Sequence, residues 1–353
     1  MNCLCRERKY RMMQANKMHH TPMKKRALTT TAAVNAIKTN LLKAGIVEIA
    51  STKTEPPLVQ AVLKGDLTRV RGLLAGGENP NAANKANRNK DNFLGEPPLV
   101  HAIRLGHCDI AEVLLAAGAS PNYKPMGRSL LTFAVWERKF SCFELLLRFG
   151  VNPNESRKGV PSALEACIDR AVSKTFSLLL KNGADVEGTA SSGESLLARA
   201  LFAYKNAVGV PAHAAALPAM KDLARQATPL LEIVREILRH QPDVNKSDRE
   251  GITPLMPAAA AAPLDVIQSL LKLGANLEAE IISKHKQAAG WRAIHFAVAH
   301  DRAEVVGCLI AAGANVTKAL PDGTDLIHFA ERHSSTSVIE HFKITKITLT
   351  KRP

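Results

Sequence analysis

The sequence predicts an all-α repeat solenoid, and three observations carry that prediction. A glycine-to-alanine step of seven residues recurs along the chain. A further glycine follows most of those alanines at a near-constant distance. The residues between them place apolar side chains at helical spacing. Aromatic residues are only 4% of the 353, which suits helices packed through Ala, Leu and Val.

The units run in order. "TEPPLVQA" (Thr54 to Ala61) opens the series, and "GEPPLVHA" (Gly95 to Ala102) reaches Gly118 sixteen residues later. "GRSLLTFA" (Gly127 to Ala134) leads to Gly150, while "GVPSALEA" (Gly159 to Ala166) reaches Gly183 one residue late. "GESLLARA" (Gly193 to Ala200) is the fifth copy and "GITPLMPA" (Gly251 to Ala258, then Gly274) the sixth. "GWRAIHFA" (Gly290 to Ala297, then Gly313) and "GTDLIHFA" (Gly323 to Ala330) complete eight units at a period near 33. Within a unit, Pro in "PPL" or "TPL" carries the fixed φ of a first helical turn. Alanine at the end of the step allows close helix contact. A second apolar-periodic helix follows, as in Ile110, Val113, Leu114 and Leu115. Glycine ends it in a left-handed conformation, and an Asn/Asp-rich stretch such as "GASPN" turns the chain. One such unit cannot bury its apolar face alone, so neighbours must stack.

These residues closely resemble the ankyrin repeat: G-x-T-P-L-H-x-A, a second helix ending in L-L-x-x-G-A, then D-x-N. The resemblance spans about residues 54–342 and implies helix-turn-helix units joined by β-hairpin or loop connections. His295 and His328 stand at the family's TPLH histidine, which ties neighbouring turns together. The other copies place Val59, Val100, Thr132, Leu164, Ala198 and Met256 there, implying looser bonding between repeats in mid-array.

Outside the repeats, residues 1–27 read as a basic disordered arm, 28–53 as an N-terminal capping helix and 343–353 as a basic tail. Residues 1–53 carry a net +9 and 343–353 a net +4 of the total +15, leaving the body near neutral. The loop "AANKANRNKDNF" (82–93) and the segment "EAEIISKHKQAA" before Gly290 are longer than their equivalents. The fifth unit holds an insertion of about 25 residues near 203–228 between its two helices. No run of 18 apolar residues exists, and no apolar stretch follows the basic N-terminus as a secretory signal needs. Cys108, Cys142, Cys167 and Cys308 fall inside helical patterns and read as small buried residues in a reducing, intracellular setting, cytoplasmic or nuclear. Cys3, Cys5, His19 and His20 are ligand types, but their spacing is too tight for a zinc site. No phosphate-binding loop, nucleophile elbow, H-E-x-x-H or C-x-x-C motif occurs, and no remaining segment is large enough for a catalytic domain. The expectation is a non-catalytic, cofactor-free monomer that binds a protein; the alternative is nucleic-acid association through the basic ends.

The resemblance implies that partners lie in a concave groove lined by first helices and hairpin tips. Positions within two residues of the unit's first glycine, and two and three after the anchor alanine, face that groove. In the third unit these are Met126, Arg128, Trp136 and Glu137. Neighbouring units contribute Phe93 and Arg104 on one side and Arg157 and Lys158 on the other. Trp291, the chain's other tryptophan, holds a groove position in the seventh unit. Trp and Arg are the types most enriched among interface hot spots, so these nine residues are the candidate partner-binding set.

Overall fold

The computed structural model describes residues 55–83, 95–157, 159–209, 218–282 and 288–345. The arm, the capping helix, nearly all of the long 82–93 loop and the end of the tail lie outside these ranges. The described residues form eight pairs of antiparallel helices. They are α1 (Pro57–Leu63) with α2 (Leu67–Ala75), α3 (Pro98–Leu105) with α4 (Cys108–Ala116), α5 (Leu130–Trp136) with α6 (Phe140–Arg148), and α7 (Ala163–Arg170) with α8 (Ser173–Lys181). The fifth pair is α9 (Leu196–Val208) with α11 (Ala227–Arg239), and α10 (Pro218–Arg225) lies between them in the chain. Then come α12 (Leu255–Ala261) with α13 (Leu264–Lys272), α14 (Ala293–Ala299) with α15 (Ala303–Ala311), and α16 (Leu326–Arg332) with α17 (Thr336–Ile344). First helices pack on first helices from α1 through α16, and second helices mostly on second helices. No strand occurs among the described residues. Two isolated antiparallel bridges, Arg157 with Val160 and Thr189 with Ser195, are all the β-pairing there.

The two rows are buried differently. In α5 every residue from Leu130 to Val135 is buried, so a first helix shows no polar face except at its C-terminal end. In α11 the buried residues are Leu230, Ile233, Val234, Ile237 and Leu238, the stripe of a helix with one side in solvent. α9 and α11 have 13 residues each against seven to nine in the other paired helices, so the fifth pair extends beyond its neighbours. The alanine anchors Ala61, Ala102, Ala134, Ala200, Ala258, Ala297 and Ala330 are at most 1% exposed.

Side-chain caps fix where first helices begin. Ser129, Ser162, Ser195 and Asp325 each accept from the backbone N–H three residues on, at 2.8–3.2 Å. Ser129, Ser162 and Ser195 are 33 residues apart, and this corrects the register of the fourth unit. Its helix starts one residue later than the glycine step implies. Cys167, fully buried, is therefore the equivalent of Ala134, and Glu165 rather than Leu164 stands where His295 does. The expectation of loose bonding in mid-array fails at this point. The fully buried Glu165 accepts from the Ser191 N–H at 2.8 Å and its hydroxyl at 2.6 Å, joining the fourth unit to the fifth. His295 Nδ1 accepts from the Arg292 N–H at 3.1 Å, whereas the exposed His328 pairs with Asp325 of its own turn.

Loop asparagines repeat one bridge. Asn81, Asn154 and Asn245 donate to the carbonyls of Gly118, Gly183 and Gly274 at 2.9–3.1 Å. Their side-chain oxygens accept from Ser120, Asp185 and Asn276 N–H groups at 2.7 Å. Unit-opening glycines fit against the next turn: a Cβ on Gly290 would lie 2.6 Å from Pro321, and one on Gly251 2.7 Å from the Glu280 carbonyl. Both have φ near +80°, so alternatives to glycine are excluded twice over.

The cysteines depart from the sequence reading. Cys108, opening α4, and Cys142 in α6 are joined as a disulfide between adjacent second helices, with Cα atoms 5.1 Å apart. The stack brings positions one repeat apart within disulfide reach. Cys167 is a buried free thiol, pushed up out of the titratable range by burial alone, and Cys308 is free and half-buried. Among the described residues no helix is long and apolar enough to cross a membrane.

Candidate protein-binding face

Trp136 ends α5, two positions past Ala134, at the point where the first helix leaves the core. Its ring packs half-buried against the apolar interior. Two guanidinium groups lie over it. The Arg170 group is 4.2 Å from the ring centroid and the Arg128 group 4.9 Å. Arg128 comes from the loop just before the Ser129 cap, and Arg170 from the end of α7 in the next unit. A Trp face attracts cations through its quadrupole, and each contact contributes about 0.5–1 kcal/mol at sites open to water. Arg170 also donates to the Trp136 carbonyl at 3.2 Å, tying the third unit to the fourth. The Arg170 Nε and the Trp136 indole N–H are buried without a protein acceptor.

The surrounding charges are mostly paired. Arg104 lies 5.2 Å over the Phe133 ring and pairs with Glu96 at 2.7 Å, with only 14% of its side chain exposed. Asp169, the equivalent of Trp136 in the fourth unit, is clasped by Arg199 through hydrogen bonds of 3.0 and 3.1 Å. Arg199 also reaches Glu194 at 2.9 Å and Glu165 at 3.3 Å. Burial raises the Asp169 carboxyl above its ordinary range, against the opposing pull of Arg199. Lys124 pairs with Glu155 at 2.7 Å. Arg128 and Arg170 have no carboxylate within 4 Å among the described residues, so they stand as a cationic pair on an aromatic platform.

The nine sequence-predicted positions therefore separate. Arg128 and Trp136 are brought into contact, and Glu137 adjoins them, half-buried. Met126 is 59% exposed in the same loop as Arg128. Arg157 is exposed beside its bridge to Val160. Arg104 is engaged by Glu96. Phe93 and Lys158 lie outside the described residues. Trp291 belongs to a different cluster: its ring meets Phe329 edge-on at 5.0 Å, Phe296 at 5.6 Å and His333 at 5.7 Å. Arg170 is the residue the glycine step missed. The serine spacing would have found it, because Ser162 plus eight is Arg170 just as Ser129 plus eight is Glu137.

A separate cleft of about 590 Å³ lies among second helices, lined by Glu144, Ser173, Lys174, Glu232, Arg235 and neighbours. Its charges are mixed, and Ser173 donates to Glu232 at 2.6 Å. No group of three or more His, Cys, Asp or Glu residues among the described ones is arranged to hold a metal ion.

Comparison with known proteins agrees with the helix pairs. A family model described as ankyrin repeats (3 copies) matches residues 58–157 and 223–319, more than half of the chain. A segment of 93 residues, 26% of this chain, is 33% identical to the rat ankyrin repeat and SAM domain-containing protein 6. It spans 10% of that protein's length. The crystal structure of the human ASB11 ankyrin repeat domain aligns with a TM-score of 0.49 at 21% identity, over 74% of this chain and 99% of its own. The helix pairs, their period and the family match together establish that this chain belongs to the ankyrin-repeat family.

Proposed function

We propose that the chain is a non-catalytic adaptor that captures a protein partner on the loop and first-helix face of its third and fourth units. Ankyrin repeats are generally protein–protein interaction modules, and what individualises one array is the surface set on a common frame. The observation that carries the reading is Trp136, a large amphipathic ring kept half-buried at a helix end under two arginines with no carboxylate partner among the described residues. Aromatic and guanidinium groups side by side, rigid before a partner arrives, are what hot spots are made of. Affinity capture with the full chain and with its Trp136→Ala variant tests this. The expected outcome is partner loss with little change in melting temperature; a large fall in melting temperature with capture intact would place Trp136 among the core residues. The basic ends favour a second reading, nucleic-acid association, in which binding falls steeply with salt and disappears on deleting residues 1–53.

A further inference from the structure

We infer that the Arg128–Trp136–Arg170 cluster selects an acidic protein segment, one whose Asp or Glu side chains pair with the two guanidinium groups. This rests on the assignment of the third and fourth units as the protein-binding face and names the chemistry that face takes. Two like charges held over one ring, 4.2 and 4.9 Å from its centroid, repel each other. Buried or half-buried arginines of neighbouring and later units are paired with carboxylates in three cases: Arg104 with Glu96, Arg199 with three, Arg292 with Glu278. Arg128 and Arg170 have no such partner among the described residues. Each guanidinium carries five N–H donors. Arg170 directs one to the Trp136 carbonyl, and no side-chain donor of Arg128 reaches an acceptor among the described residues.

Contact with the ring restrains both groups, so less rotamer freedom is lost when a carboxylate pairs with them. Nearby Glu137 is the one carboxylate of the site without a cationic partner among the described residues. It lies at the equivalent position to Arg170, one unit earlier, and disfavours a uniformly anionic ligand such as a nucleic-acid strand. A segment of spaced carboxylates with an apolar residue to cover the indole fits the pattern of charges better.

Selection of short random peptides on the full chain, with counter-selection on Trp136→Ala, tests the inference. Enrichment of Asp and Glu is expected, with affinity falling about tenfold or more for Arg128→Gln/Arg170→Gln. Arg128→Lys/Arg170→Lys keeps the charge and loses the forked geometry, and an intermediate affinity is expected there; thermal melts confirm that both variants fold. Neutral or basic peptides that still require Trp136 overturn the acidic assignment and leave the face standing. Peptides indifferent to Trp136 remove both. Acidic peptides that bind the Gln variant as tightly as the parent, or that a single-stranded oligonucleotide displaces through the same arginines, also overturn it.

Discussion

The two tryptophans of this chain sit in the same kind of frame and do opposite things. Around Trp136, in units three and four, the ring faces guanidinium groups, and a Cys108–Cys142 bond joins the second helices of units two and three. Around Trp291, in units seven and eight, the ring is enclosed by Phe296, Phe329 and His333. Beneath it the buried Arg292 donates to Glu278, to the Asn315 carbonyl and to the Lys318 carbonyl, each at 2.7 Å. An aromatic ring is packing material when its neighbours are rings from the next unit. It is proposed as a recognition element when they are charges with no counter-ion.

The comparison can be broken in three places, taken in falling order of effect. Cys142→Ser removes a crosslink closing a loop of about 35 residues, for which chain-entropy reasoning gives about 3–4 kcal/mol. Urea unfolding of oxidised and reduced protein should show that difference in the parent and none in the variant; equal midpoints for the oxidised and reduced parent would leave units two and three no firmer than the rest. Trp291→Ala should cost about 3 kcal/mol, as for a ring lost from an aromatic cluster, against about 1–2 kcal/mol for Trp136→Ala, whose two cation–π contacts dominate its loss. Similar costs in the same denaturant series would erase the distinction between the two regions.

The third concerns acid. Burial, with the charges of Arg292 and His333, lowers His295 from 6.5 to about 3, and burial with Arg104 lowers His101 to about 4. For both, the folded state resists a proton that the unfolded chain accepts. Their stability is complete above the unfolded value near 6.5 and is lost as pH falls toward the folded value. The slope is at most about 1.4 kcal/mol per pH unit for each group. His295→Gln should therefore flatten the melting-temperature profile between pH 6 and about pH 4. An unchanged profile would mean that His295 takes up its proton without opening the unit.

How much of this was legible beforehand follows from which signals repeat. The glycine-to-alanine step identifies the family and eight helix pairs because it encodes backbone constraints that every unit shares. It misplaces the fourth unit by one residue because its opening loop is longer by one, which the late Gly183 hints at and the Ser129–Ser162–Ser195 spacing locates. With the register shifted, Glu165 appears as the bridging acceptor and Arg170 as the partner of Trp136. Arg128 and Trp136 were readable as neighbours from their positions within one unit. The engagement of Arg104 by Glu96, the enclosure of Trp291 and the disulfide were not. Each depends on which rotamers adjacent units leave room for, and a periodic pattern carries no such information.

The bond between Cys108 and Cys142 has a mechanical consequence. A stacked array pulled from its ends unravels unit by unit and lengthens as it does so. With the crosslink in place, the 34 residue steps from Cys108 to Cys142 cannot pay out, which withholds about 115 Å of contour at 3.3–3.6 Å per residue. Units two and three would then rupture as one event under load, and the segment that carries Arg128 and Trp136 would not lengthen while the bond lasts.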